Sequence, residues 1–157
     1  MSQNFPVHGY ISRRAWLLFM KKVTIQTTGH WLWIGAKDKD GYGVVKWKKR
    51  TMRAHHFCFI ALRGNIPDKM VPDHLCRIPA CVNAYCLELV THRVNTLRGN
   101  GPTAINAQKK TCPKGHMLEG ENLIKRTHQC VTGEISHWRR CRTCENTRRR
   151  KISKGAL

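Results

Sequence analysis

The stretch "DHLCRIPACVNAYCLELVTHRVN", residues 73–95, sets an Asp-His pair, three thiols in C-x4-C-x4-C spacing (Cys76, Cys81, Cys86) and a late Asn within 23 positions. Neither an ordinary core strand nor an amphipathic helix needs that combination. Thiols this dense in a loop otherwise poor in apolar residues are ligands for a metal that ties the loop down. An imidazole beside a carboxylate, with an amide further on, is a set of groups that can do chemistry.

The chain around this stretch has 157 residues, enough for one domain or one domain with a small appendage. Lys and Arg number 29 against 9 Asp and Glu, a formal charge of +20, so the expected partner is a polyanion, above all nucleic acid. Hydrophobic residues make up 41%, and a chain this short buries a modest core that eight cysteines can supplement through metal. No apolar run approaches the roughly 20 residues that span a bilayer, and no broad greasy helix face is present, so a membrane partner is excluded. The N-terminus "MSQNFPVHGYISRR" lacks an apolar core followed by a cleavage site. The expectation is a reducing, cytoplasmic compartment, where clustered Cys and His favour zinc over disulfides.

Upstream, Ser12 is placed to cap a helix through "RRAWLLFMKKV". "HWLWIG" and "YGVVKWKKRTMRA" read as strands joined by the turn "AKDKDG", giving a hairpin, with Trp31 and Trp33 as core residues. "AHHFCFIALRG", residues 54–64, has helical periodicity ending on Gly64, an extended segment leads into "MVPDHLC", and "THRVNTLR", residues 91–98, forms a second helix. "NGPTAINAQKK" reads as a linker. The organisation is therefore residues 1–100 as one domain, 101–111 as linker, and 112–157 as a basic module too short for an ordinary core.

That C-terminal module holds Cys112 and His116 in a C-x3-H knuckle and Cys141 and Cys144 in C-x2-C, spaced as paired ligands of a tetrahedral structural zinc. His128, Cys130 and His137 are substitute ligands. The thiols Cys76, Cys81 and Cys86 need a fourth partner: His30, in "GHWLWIG", is preferred, with Cys58 and His56 as alternatives.

These elements resemble the HNH endonucleases of bacteriophages and the related His-Cys box homing endonucleases. The similar elements are "HWLWIG…GYG", "DHLC", "CRIPAC" and "VNAYCLELVTHRVN", spanning about residues 29–99, and a "CPxGH…RRCRTC" module like that at 112–144 accompanies many phage members. Where the family has Cys before "WxW" this chain has His30, and where it has His before "LE" this chain has Cys86. The two departures form an exchange that leaves three thiolates and one imidazole, which supports His30 as the fourth zinc ligand. The resemblance implies an α+β, ββα-metal (His-Me finger) nuclease core stapled by structural zinc, plus the small zinc module.

By the same resemblance His74 matches the general base, Asn95, 21 positions later, a ligand of the catalytic metal, Asp73 a second ligand, and Arg53 a cation near the scissile phosphate. His55 or His56 assists Arg53, and Asn83 serves a local turn. Hard oxygens suit Mg²⁺ or Mn²⁺, and a neutral imidazole near pH 7 suits activation of water. The implied products carry 5′-phosphate and 3′-hydroxyl ends. Double-stranded DNA is held by a β-ribbon with Lys46, Lys48, Lys49 and Arg50, and by Arg139, Arg140 and Arg142 of the C-terminal module, in a monomer or homodimer. The rival reading is a zinc-stapled DNA-binding regulator without catalysis, which has no use for a base beside an oxygen-rich site. An RNA-binding zinc protein shares the charge but lacks a stacking-sheet motif.

Overall fold

The computed structural model, which describes residues 9, 11–131, 133, 135–153 and 155, begins its regular structure with helix α1 (Arg13–Met20). Ser12 caps it as expected, its hydroxyl accepting from the Ala15 backbone N–H at 3.3 Å. Trp16 and Phe19, three residues apart and thus on one face, turn inward. The chain divides into two compact units, Met1–Arg98 and Gly99–Leu157.

In the first unit, β1 (Val23–Ile25) pairs antiparallel with β2 (Trp31–Trp33), and β3 (Val44–Trp47) pairs with β4 (Arg50–Arg53). This corrects the expected single hairpin. The strand holding Trp31 and Trp33 folds back on residues 23–25, and the "VVKWKKRTMR" segment folds on itself. Its turn is made by Lys48 and Lys49, both at positive φ (47° and 62°), without the Gly or Asn that such turns usually advertise in sequence. Residues 36–43 form a tight loop instead of a strand-to-strand turn: Asp38 Oδ1 accepts from the backbone N–H groups of Asp40 and Tyr42, each at 3.0 Å.

Helix α2 (Ala54–Arg63) stops at Gly64 (φ 94°), as its periodicity predicts, and buries Phe57, Cys58 and Ala61 against Phe19, Trp33 and Val82. Next come β5 (Met70–His74), a single 3₁₀ turn (Ala84–Cys86), β6 (Leu87–Thr91) and α3 (His92–Arg98). β5 and β6 are antiparallel, with Asp73 opposite Glu88 and His74 opposite Leu87, and α3 follows at once, so the order is strand, strand, helix. Strand β6 is absent from the sequence reading because its five residues begin where the cysteine loop ends. The loop is sewn to β2 by Trp33 N–H to Ala80 O at 2.9 Å and Val82 N–H to Trp31 O at 2.8 Å. Asn83 has the local role expected of it, accepting from Tyr85 N–H and donating to Gly29 O.

In the second unit, helix α4 (Pro102–Gln108), with Pro at its first turn, occupies most of the segment read as linker. A hairpin of β7 (Leu123–Gln129) and β8 (Ile135–Cys141) leads into α5 (Arg142–Ser153). Few of the unit's described residues are buried, mainly Ala104, Cys112 and Cys141, which is the small core that calls for a staple. Among the described residues no helix is long and apolar enough to cross a membrane.

Candidate active site and metal centres

Two clusters of metal-ligating side chains emerge. His30, Cys76, Cys81 and Cys86 bring one ligand atom each within 4.8 Å of one another, and so do Cys112, His116, Cys141 and Cys144. In the first, His30 Nδ1 lies 3.9 Å from Cys81 Sγ and 3.7 Å from Cys86 Sγ. In the second, His116 Nδ1 lies 3.4, 3.7 and 3.3 Å from the sulfurs of Cys112, Cys141 and Cys144, and the Cys112–Cys144 sulfurs are 3.7 Å apart. With ordinary zinc bond lengths, a tetrahedral site has N···S edges of about 3.6 Å and S···S edges of about 3.8 Å. The donor sets therefore fit zinc in both places. Burial first and the neighbouring Cys81 thiol next push Cys86 up to about 12, a cost that a shared dication offsets. Cys58 is fully buried in the core, with its thiol raised to about 12 by burial, and belongs to neither cluster. His56, His128, Cys130 and His137 also stand outside both.

His74 ends β5 and is 5% exposed. Its Nε2 lies 2.7 Å from the carbonyl oxygen of Cys81. A carbonyl oxygen only accepts, so Nε2 carries the proton and donates, and in the neutral ring Nδ1 keeps the lone pair. Burial is the largest influence on this imidazole and lowers its pKa below 6.5, against the raising effects of the Cys81 carbonyl and Asp73. The ring is thus a neutral, oriented imidazole near pH 7.

Two aromatic rings crowd it. The centroid of His55 is 4.5 Å away and that of Tyr42 is 5.8 Å, while Tyr42 and His55 are 5.5 Å apart. His56 stacks edge-on against His55 at 4.6 Å. Burial above all lowers His55 to about 2 and His56 to about 4, so both are neutral. Tyr42 was missed in the sequence: it opens "YGVVKWKKRTMRA", read as a strand, and only the loop's fold carries it to His74. Arg53, the last residue of β4, lies with Cζ 4.0 Å from the Tyr42 ring centroid and Nε 3.7 Å from Asp38 Oδ2.

Asp73 precedes His74 on the strand and is also buried, but its carboxylate is shared. Oδ1 accepts from Arg77 Nη1 at 3.0 Å, and Oδ2 is 3.5 Å from Arg98 Nη1, which also bridges to Glu88 at 2.6 Å. Neither arginine was singled out in the sequence; the i,i+4 spacing of Asp73 and Arg77 is the signal that was available. Asn95 is half-buried on α3, one turn before Arg98 and so on the same side of the helix. The oxygens of Asp73 and Asn95 are hard donors of the type magnesium takes, and a carboxylate with about four lone-pair sites keeps room for a cation beside two ion pairs.

Of the residues assigned to DNA, Lys46, Lys48, Lys49 and Arg50 are exposed on the β3–β4 ribbon and its turn. Arg140 ion-pairs with Glu145 at 3.2 Å, and Arg142 donates to Glu121 O at 2.6 Å. Arg139 is diverted: its guanidinium donates to the carbonyls of Asn106, Ala107 and Lys109, closing the C-terminal end of α4. Those nitrogens cannot also fork onto a phosphate.

With this geometry described, residues 52–97 match a family model described as HNH endonuclease. The match starts in β4 and ends in α3, taking in Arg53, His55, His56 and His74, strands β5 and β6, and α3 up to its penultimate residue. Neither the curated proteins nor the solved structures compared gave a match. Over these residues the strand-strand-helix core is similar to HNH endonucleases, a likeness that supports nuclease chemistry at the level of that family.

Proposed function

We propose that the protein is a metal-dependent DNA endonuclease of the kind found in bacteriophages, hydrolysing phosphodiester bonds and leaving 5′-phosphate and 3′-hydroxyl ends. The observation that carries this reading is the 2.7 Å bond from His74 Nε2 to Cys81 O, which leaves Nδ1 to take a proton from attacking water. Asp73 and Asn95 would hold Mg²⁺ or Mn²⁺, and such an ion supplies charge stabilisation at the departing 3′ oxygen. Arg53 faces the same reaction from the opposite strand-helix junction and binds the phosphate. The two Cys3His clusters hold structural zinc: one anchors the loop that orients His74, the other holds the basic module together.

The charge of +20 supports double-stranded DNA as the substrate, gripped mainly through phosphates by Lys46, Lys48, Lys49, Arg50, Arg140 and Arg142. One such site cuts one strand at a time, so a monomer nicks and a homodimer cuts both strands.

Supercoiled plasmid incubated with Mg²⁺ or with EDTA tests the reading. Wild type converts it to nicked or linear form only with the metal, and His74→Ala slows conversion by about 10²- to 10⁴-fold. Undiminished cleavage by His74→Ala removes the base assignment. DNA binding with no cleavage under any metal favours the non-catalytic regulator.

A further inference from the structure

The loop of residues 36–43 does more than reverse the chain. Asp38 spends Oδ1 on the N–H groups of Asp40 and Tyr42, which fixes its carboxylate and turns Oδ2 toward Arg53 Nε at 3.7 Å. The ring of Tyr42, from the same loop, lies under the Arg53 guanidinium at 4.0 Å. Arg53 is thus held at one edge by a carboxylate and on one face by a ring. Among the described residues its Nη1 and Nη2 meet no hydrogen-bond acceptor. An exposed arginine ordinarily samples many rotamers, and that freedom is lost on binding.

We propose that Asp38 and Tyr42 are positioning residues that pre-orient Arg53, so that its two terminal nitrogens grip a backbone phosphate beside His74. This deepens the nuclease reading and rests on it only in taking that phosphate to be the scissile one. Two features support it. The same Tyr42 ring lies near both His55 and His74, so a guanidinium stacked on it is kept beside the base. Finally, the Asp38–Arg53 pair is exposed at 28% and 43%, so it adds little to stability and its value lies in geometry. A carboxylate at Nε leaves free the end of the guanidinium that matches a phosphate bidentately.

The test is a double-mutant cycle on the full chain, read by single-turnover cleavage with Mg²⁺ and by fluorescence anisotropy on a labelled duplex in EDTA. Arg53→Ala slows cleavage by about 10²-fold or more and lowers the salt slope of binding by about one. Tyr42→Leu and Asp38→Asn each give a smaller loss of the same kind, and Tyr42→Phe, which keeps the ring, recovers most of what Tyr42→Leu loses. Combined with Arg53→Ala, neither adds a further loss, while thermal midpoints stay close to wild type. Additive losses, or a Tyr42→Leu variant with the wild-type salt slope, overturn the proposal. If the wild type binds DNA without cutting it, the nuclease reading fails, and the anisotropy cycle still decides: the same non-additive loss supports positioning, and an unchanged slope in Arg53→Ala rejects it.

Discussion

The imidazole of His74 donates from Nε2 to the carbonyl oxygen of Cys81 at 2.7 Å, while the thiol of that same cysteine belongs to the first Cys3His cluster. One residue therefore faces the imidazole with its backbone and the Cys3His cluster with its side chain. Loss of a metal held by that cluster would loosen the carbonyl that selects the His74 tautomer.

The first prediction follows from this link. Native mass spectrometry finds two zinc ions per chain in the wild type and one in Cys81→Ser. The variant also loses cleavage by about 10²-fold, because an imidazole without its acceptor no longer presents Nδ1 as the free lone pair. Full activity in a one-zinc Cys81→Ser protein contradicts the link.

Stability should depend on pH through His55 and His56. Burial is the main reason their folded pKa values drop to about 2 and about 4 from 6.5, followed by His74 for His55 and Arg53 for His56. The unfolded chain takes up protons on both below pH 6.5 and the folded chain does not, so their contribution is complete above that pH and is lost on acidification. Each costs about 1.4 kcal/mol per pH unit, or roughly 4 kcal/mol for the pair at pH 5. Urea denaturation between pH 7.5 and 5 measures the slope, and His55→Gln makes it shallower.

Lys48 and Lys49 hold a turn at φ 47° and 62°, where lysine is strained and Asn-Gly is at ease. Lys48→Asn with Lys49→Gly should raise stability by about 1 kcal/mol. The same pair should weaken DNA binding and lower its salt slope by about two, since two phosphate-facing charges are gone. Stability rising with DNA affinity unchanged would remove the ribbon tip from the interface.

Gly43 is required by Trp33. A Cβ there would lie 2.5 Å from Trp33 Cδ1 and 3.0 Å from the Ala54 Cβ, and Trp33 is too deeply buried to yield. Gly43→Ala should cost about 1–3 kcal/mol, seen as a lower thermal midpoint. Because the strain falls at the junction of loop 36–43 with β3, cleavage should also fall as Arg53 loses its setting.

Local spacing in the chain was enough for the caps at Ser12 and Gly64, the helix over 54–63, the zinc knuckles of the C-terminal unit and the pairing of an imidazole with a cysteine loop, because each depends on residues only a few positions apart. The exchange of His30 and Cys86 could be read only through the family resemblance, since 46 residues separate His30 from Cys76 and no local rule connects them. Tertiary structure decided the remainder. The pairing of β2 with β1, the existence of β6, the stacking of Arg53 on Tyr42, the arginines on Asp73 and the diversion of Arg139 to the end of α4 all depend on which surfaces meet after collapse. Burial, hydrogen bonding and charge pairing act through space, and in a chain with this much positive charge they settle which arginines are spent inside the protein and which stay available to a phosphate.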